Sequence, residues 1–480
     1  MSRRRGMAAG GSPSHPTIYL TEGRAGASMT ASTRENDTFA LIGPLARRVL
    51  TAFAETAPAG RRGEEYSIDF GPAVIASLLT GPPAPSPHKP GPHEPSPHKP
   101  GPHEPSAVVR GTGPGEPESR ALAAWLHQLR AACTHPGLYG WGGAGYLLGL
   151  RLATPAWPAL APLAARLRRE LAREHVHWHR HPLAWYDYDI VTGTAGTLMV
   201  LATDPDLQPG DLDLAVSHLT RLCSDDELTG LRVGSYRDEP MRGWNHGRVN
   251  TGVAHGAAGV TLALCAAADA TGLHNPPAAR PAQPDAGPAQ PDAGPARPDG
   301  RPDDRPADRL ATALTRLSRW LTAQSRVNDD GMITWPQAGD MNRLQRRPQA
   351  WCYGTPGVSW ALWEAGRILG DDETQRFALT AMSTFLETYD ENVDRPDVSI
   401  CHGLPGLILL CDTFDRHTGL EGAATLRDHL AGRLTDRLAE VAELSAQDNN
   451  TLLSGAAGAC AALLTVYGGN RAWLPALGLR

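Results

Sequence analysis

The chain has 480 residues, of which 51 are glycine and 42 are proline, and a formal net charge of −6. That much glycine and proline excludes a chain folded from end to end, although the remainder is long enough to bury a large core. The charge, with no basic block beyond Arg3 to Arg5, argues against a nucleic-acid footprint. No apolar run reaches the roughly 18 residues of a membrane span, and the start lacks the apolar core of a secretory signal, so a cytoplasmic protein is expected.

In chain order, residues 1–37 are small and polar and are expected to be disordered. A single domain is expected over 38–470, interrupted by low-complexity inserts at 82–106 and 275–308. The first insert carries an exact duplication of Ser-Pro-His-Lys-Pro-Gly-Pro-His-Glu-Pro from Ser86 to Pro105, which reads as an extended polyproline-like linker. The second repeats Pro-Ala-Gln-Pro-Asp-Ala-Gly from Pro281 to Gly294 and reads as a surface loop. Lys89 and Lys99 are the only lysines, a bias of coding composition and not of chemistry.

Between and around the inserts an internal repeat emerges. Gly-x-x-Gly tetrads start at Gly142, Gly193, Gly256, Gly354, Gly403 and Gly455, at a unit length of roughly 50 residues with loop excursions. Each opens a short, nearly uncharged helical run, and a longer amphipathic helix follows. Phe377, Ala381, Met382 and Phe385 mark one such stripe; Leu426, Leu430, Leu434, Leu438 and Val441 mark another. An apolar helix buried on all sides, alternating with a one-sided helix, describes two concentric layers. The expected fold is therefore all-α, an α/α toroid of helical hairpins, with the tetrads at the inner-helix N-termini on one end of the ring. Free N–H groups and helix dipoles there favour anions, so a functional site is expected on that face.

The seven cysteines form no C-x-x-C pair, and in a reducing compartment most read as small buried hydrophobes, Cys265 and Cys460 among them. Three tetrads have distinctive leaders: Gly252-Val-Ala-His255-Gly, Trp351-Cys352-Tyr353-Gly and Ser399-Ile-Cys401-His402-Gly. Spacing alone leaves two readings open. Cys352, Cys401 and His402 are either buried structural side chains or three ligands of a zinc site, with His255 or a nearby acid as a fourth candidate.

These motifs, Trp-Cys-Tyr-Gly-x-Pro-Gly at 351–357, Cys-His-Gly-x-x-Gly at 401–406 and Gly-Val-Ala-His-Gly at 252–256, resemble the lanthionine synthetase C family. The resemblance runs from about Leu138 to Leu464. It implies a toroid with zinc held by Cys352, Cys401 and His402, an acid/base role for His255, and active-site positions for Tyr353 and Asp189. One departure stands out: the family commonly has arginine four residues before the first cysteine ligand, where this chain has Pro348, with Arg347 one residue earlier.

The expected activity follows from that ligand set. A free thiol with a pKa of about 8.5 is mostly protonated at neutral pH, and zinc deprotonates it. The expected reaction adds a peptide cysteine thiolate to dehydroalanine or dehydrobutyrine in the same dehydrated precursor peptide, giving a lanthionine or methyllanthionine ring. His255 is the expected proton donor to the α-carbon. Dehydration would fall to a separate dehydratase. Two other functions fit the same residues: addition of a small thiol such as glutathione, or alkylation of a thiol, and a leader-peptide-binding scaffold without catalysis. Alternative readings are a plain loop carboxylate for Asp189 and a packing role for Tyr353. His246 reads as structural, and the alternating His175, His177, His179 and His181 as a helix end.

Overall fold

The computed structural model describes residues 31–56, 69–81, 115–129, 135–140, 142–173, 183–236, 239–240, 245–273, 306–339, 349–394 and 396–480. The helices are α1 (Ala31–Thr56), α2 (Gly71–Thr80), α3 (Glu116–Leu129), α4 (Gly143–Ala153), α5 (Ala161–Arg173), α6 (Thr194–Ala202), α7 (Asp213–Leu222) and α8 (Ala257–Ala270). They continue with α9 (Pro306–Gln324), α10 (Thr355–Leu369), α11 (Asp372–Thr388), the short α12 (Glu391–Asp394), α13 (Leu404–Thr418), α14 (Ala423–Asp436), α15 (Leu438–Ala446) and α16 (Ala456–Val466). Two two-stranded antiparallel pairs, Ser235–Tyr236 with Glu239–Pro240 and Arg326–Val327 with Ile333–Thr334, are the only strand pairs among the described residues.

Seven helices form the inner layer. α2, α4, α6, α8, α10, α13 and α16 pack side by side in that order, and α2 closes the circle by lying between α16 and α4. Their side chains are buried almost throughout, as the uncharged runs require. The amphipathic helices α3, α5, α7, α9, α11 and α14 lie outside, each against the inner helix that precedes it, and α1 and α15 cover α16. In α11 Ala381, Met382 and Phe385 face inward, and Phe377 packs against the core at its edge. The stripe from Leu426 to Val441 is divided between two helices: α14 ends at Asp436, and α15 restarts after Arg437. At that break Arg437 bonds Glu440 at 2.7 Å and the Pro396 carbonyl at 2.7 Å, tying the turn to a neighbouring loop.

All six tetrads begin at the residue capping an inner helix. The second glycine of each lets a carbonyl of the preceding loop sit on the first helical turn: a Cβ at Gly406 would lie 2.0 Å from the Ile400 oxygen, and one at Gly458 1.9 Å from that of Leu452. The seventh inner helix, α2, lacks this tetrad and starts with Gly71-Pro72 after Asp69. Six leaders share another device that has no fixed residue type. Asp69, His135, Asp189, Asn250, Gln349 and Asp397 each use a side-chain atom to accept a backbone N–H a few residues on. In the seventh leader, Asn449 accepts the Thr451 hydroxyl.

Successive leaders are stitched together around the ring. Tyr139 N donates to Val191 O at 2.8 Å, Ile190 N to Ala254 O at 3.2 Å, Val253 N to Cys352 O at 2.8 Å, and Cys401 N to Leu453 O at 3.0 Å. Leu452 N then donates to Asp69 Oδ2 at 2.6 Å. Between the Cys352 and Cys401 leaders the link is made by a thiol, Cys352 Sγ donating to Cys401 O at 3.1 Å.

The described structure differs from the expected boundaries at three places. α1 begins at Ala31, inside the segment expected to be disordered through residue 37, and α9 begins at Pro306, inside the insert expected to run to 308. The whole of the first insert and the remainder of the second lie outside the described residues. Residues 473–479, past the expected limit at 470, include Trp473, Leu474, Ala476 and Leu477, all fully buried. Inner-layer residues hold this segment: Tyr139 Oη donates to Ala476 O, Trp351 Nε1 to Leu477 O and Trp360 Nε1 to Gly478 O, at 2.8 to 2.9 Å.

Candidate metal centre

The leaders of α10 and α13 are neighbours in the ring, and their juxtaposition brings Cys352 and Cys401 together although 49 residues separate them. Ligand atoms of Cys352, Cys401 and His402 all lie within 4.8 Å of one another, the one such group found among the described residues. Cys401 Sγ and His402 Nε2 are 3.8 Å apart. Tetrahedral zinc with Zn–S near 2.3 Å and Zn–N near 2.0 Å holds such atoms roughly 3.5–3.8 Å apart, so the donor set fits that ion in type and the Cys401–His402 pair fits it in spacing. Cys352 is buried, Cys401 half-buried and His402 exposed, which leaves one side of the group open.

The electrostatics separate the two thiols. The neighbouring Cys352 and His402 side chains push the Cys401 thiol below its ordinary value, and the nearby His255 acts in the same direction. The Cys401 side chain, together with burial, raises Cys352 well above its ordinary value. The Cys401 thiolate in turn raises His402. Inner-helix N-termini that converge on this end of the ring favour a thiolate further. Cys223, Cys265, Cys411 and Cys460 are buried and raised by desolvation, as expected of small core residues.

The leaders of α6 and α8 supply a second pair. His255 Nδ1 lies 2.5 Å from Asp189 Oδ2, with the Asp189 side chain fully buried and that of His255 22% exposed. Asp189 Oδ1 is occupied separately, accepting Thr192 N at 2.7 Å and Gly193 N at 2.9 Å. Tyr188 Oη donates to His255 O at 2.7 Å, and the Trp185 indole stacks on the imidazole with ring centres 4.2 Å apart and planes 15° apart. The histidine is thus held at its backbone, its ring face and one ring nitrogen.

Tyr353 follows Cys352 directly in the α10 leader. Its hydroxyl accepts a hydrogen bond from Asn250 Nδ2 at 2.7 Å, and burial pushes the phenol above its ordinary value, so it stays protonated. Gly354, directly after it, has φ of 88°, a left-handed backbone that suits glycine and turns the chain into α10.

The residues singled out by sequence meet on one end of the ring, whereas His246 is exposed and has no part in the group. Arg347 and Pro348, and His175 to His181, lie outside the described residues. Trp185, Tyr188 and Asn250 were not anticipated. Only Asn250 had a signal within reach, its place six residues before a tetrad, where the α13 and α16 leaders carry Asp397 and Asn449.

Among solved structures the chain is similar to nisin cyclase, with a TM-score of 0.62 and 16% identity over 93% of this chain and 98% of that one, a likeness of fold. No curated protein sequence matches. The family model of lanthionine synthetase C-like proteins matches residues 121–275 and 306–477, more than half of the chain and every residue of the site described above. The chain belongs to the lanthionine synthetase C-like protein family, and its fold is the α/α toroid.

Proposed function

We propose that this protein is a zinc-dependent cyclase that closes lanthionine or methyllanthionine rings in a dehydrated precursor peptide. The observation that carries the reading is one end of a ring holding two cysteines and a histidine at ligand spacing beside a carboxylate-paired histidine. Cys352, Cys401 and His402 would hold the ion. Zinc, when bound, supplies a Lewis acid that keeps a substrate thiol deprotonated at neutral pH.

The remaining work belongs to the chain. As the sulfur bonds to the β-carbon, the carbon–carbon π bond breaks and its electrons move to the α-carbon and the adjoining carbonyl. A proton at the α-carbon completes the addition, and His255 delivers it, oriented by Asp189. The proton lost from the substrate thiol restores the imidazolium, so no oxidant or reductant is consumed. Tyr353, a neutral phenol, acts as a hydrogen-bond donor and not as a base. The described cysteines are all free, which suits a reducing compartment, and we assign dehydration of the precursor to a separate enzyme.

The test is incubation with a dehydrated peptide that carries free cysteines, with and without a chelator, scoring thiols by alkylation and mass spectrometry. Loss of thiols at constant peptide mass, prevented by the chelator, is expected. Equal survival of thiols in both arms overturns the cyclase, and a gain of mass from added glutathione would point to small-thiol addition instead.

A further inference from the structure

Residues 473–479 run through the middle of the ring. Beyond α16 the chain makes a buried turn over Leu474–Leu477, closed by Gly478 with φ of 69°. Trp473 Nε1 donates to Thr465 Oγ1 of α16 at 2.9 Å, α6 packs against the turn, and a Cβ at Gly478 would lie 2.6 Å from Leu262 Cδ1 of α8. The bonds from Tyr139, Trp351 and Trp360 to Ala476 O, Leu477 O and Gly478 O add the leaders of α4 and α10 and the α10 helix itself. A fully buried segment touched from so many sides of the circle lies within it, so the lumen of the ring is filled.

One of these contacts reaches the metal group through a single peptide bond. Trp351 directly precedes Cys352 and is buried. Its carbonyl sits on the start of α10, where a Cβ at Gly357 would be 2.2 Å from it, and its own Cβ lies 3.0 Å from the place a Cβ would take at Gly406 of α13. The residue is thus wedged between the first turns of the two helices whose leaders carry the sulfurs. An indole N–H only donates, and once buried it needs an acceptor, which Leu477 O supplies at 2.9 Å. The Cys352 carbonyl is fixed independently, by Val253 N at 2.8 Å.

We propose that residues 473–479 are the floor of the metal centre, and that Trp351, bonded to this floor, is a positioning residue that sets the Cys352 sulfur at ligand distance from Cys401 and His402. This rests on the reading that these three residues hold zinc. Trp351 offers the ion no ligand atom and acts only through the backbone of Cys352. Bonds that orient a ligand in this way are worth about tenfold or more in metal affinity. Trp360 supplies the control: its indole bonds the next carbonyl of the same floor, at 2.8 Å, but it lies inside α10 and away from the ligand-bearing leader.

The experiment measures the zinc affinity of the full chain by competition with a chromophoric chelator, with urea unfolding of the metal-free protein alongside. Trp351→Phe and Trp360→Phe each leave one floor carbonyl without its donor and should lose stability to a similar degree. Zinc binding should weaken about tenfold in Trp351→Phe and less than about twofold in Trp360→Phe. Leu477→Ala, which keeps both indole bonds but trims the floor, should weaken zinc by about threefold and stands in where Trp351→Phe does not fold. Parent-level zinc affinity in folded Trp351→Phe, equal weakening in the two tryptophan variants, or, where Trp351→Phe does not fold, parent-level affinity in Leu477→Ala would each overturn the proposal. Ring closure is scored separately. A parent that binds zinc yet closes no ring removes the cyclase reading and leaves the affinities to decide this one, and a parent that binds no zinc overturns both.

Discussion

Asp189 divides its carboxylate between the fold and the site: Oδ1 holds Thr192 N and Gly193 N in the α6 leader, and Oδ2 lies 2.5 Å from His255 Nδ1. The first role is shared with the polar leader residues Asp69, Asn250 and Asp397, whereas the second belongs to Asp189 alone among them. An Asp-to-Asn change separates the two. Asparagine keeps an oxygen for the loop, but its amide nitrogen faces Nδ1 and disfavours the doubly protonated ring that delivers the α-carbon proton. Asp189→Asn should therefore melt within a few degrees of the parent and close rings at least about a hundredfold more slowly. Asp189→Ala, which leaves buried N–H groups unpaired, should in addition lose about 2 kcal/mol of stability. Parent-level turnover in Asp189→Asn would reduce this carboxylate to a loop residue.

Gly406 and Gly432 offer a contrast within one hairpin. A Cβ at Gly406 meets the Ile400 carbonyl at 2.0 Å, and the loop it would displace carries Cys401 and His402. Gly432, inside α14, has open space. Gly406→Ala should cost about 3 kcal/mol and lower the bound zinc, whereas Gly432→Ala should add about 0.5–1 kcal/mol by stiffening the unfolded chain and favouring helix. Urea unfolding and metal analysis of the two variants check both signs.

That contrast also shows why the ring was legible in the sequence. A carbonyl seated on a helix start tolerates only hydrogen at the facing Cα, so the tetrad glycines mark the inner helices at Gly142, Gly193, Gly256, Gly354, Gly403 and Gly455. α2 escaped because its start uses Gly71-Pro72 and a carboxylate, Asp69, in place of the tetrad. The leader side chains escaped for a related reason: Asp, Asn, Gln and His all accept an N–H, so the role leaves no single letter to follow. The stacking of Trp185 on His255 joins loops 70 residues apart and has no local signature.

The two ligand thiols should behave differently once the metal is removed. The neighbouring Cys352 and His402 side chains hold Cys401 below its ordinary value, which favours its thiolate, whereas Cys352 is raised and keeps its proton. Iodoacetamide at pH 6.5 should label Cys401 first in chelator-treated protein and label neither cysteine in the zinc-loaded protein, while Cys265 and Cys460 stay unlabelled in both. Peptide mapping reads the order directly. Equal labelling of Cys401 with and without chelator would remove it from the ligand set.

Closure of the ring should carry its own pH dependence. Asp69 joins the start of α2 to the leader of α16 through Leu452 N, a contact spanning 383 residues, and burial raises its carboxyl from 3.8 to about 6. A carboxyl raised in the folded state binds its proton more tightly there than in the unfolded chain. Its stabilising contribution is therefore complete below about pH 4 and is lost as pH rises through 6. A rise of that size corresponds to roughly 3 kcal/mol between those limits. Asp69→Asn cannot ionise, and its amide sets a donor against Leu452 N or Gly71 N. The variant should be less stable at acid pH but lack this slope, so that the gap to the parent narrows between pH 4 and 6.5. Urea unfolding across that range reads the slope, and parallel curves for parent and variant would show that Asp69 holds the ring without titrating in it.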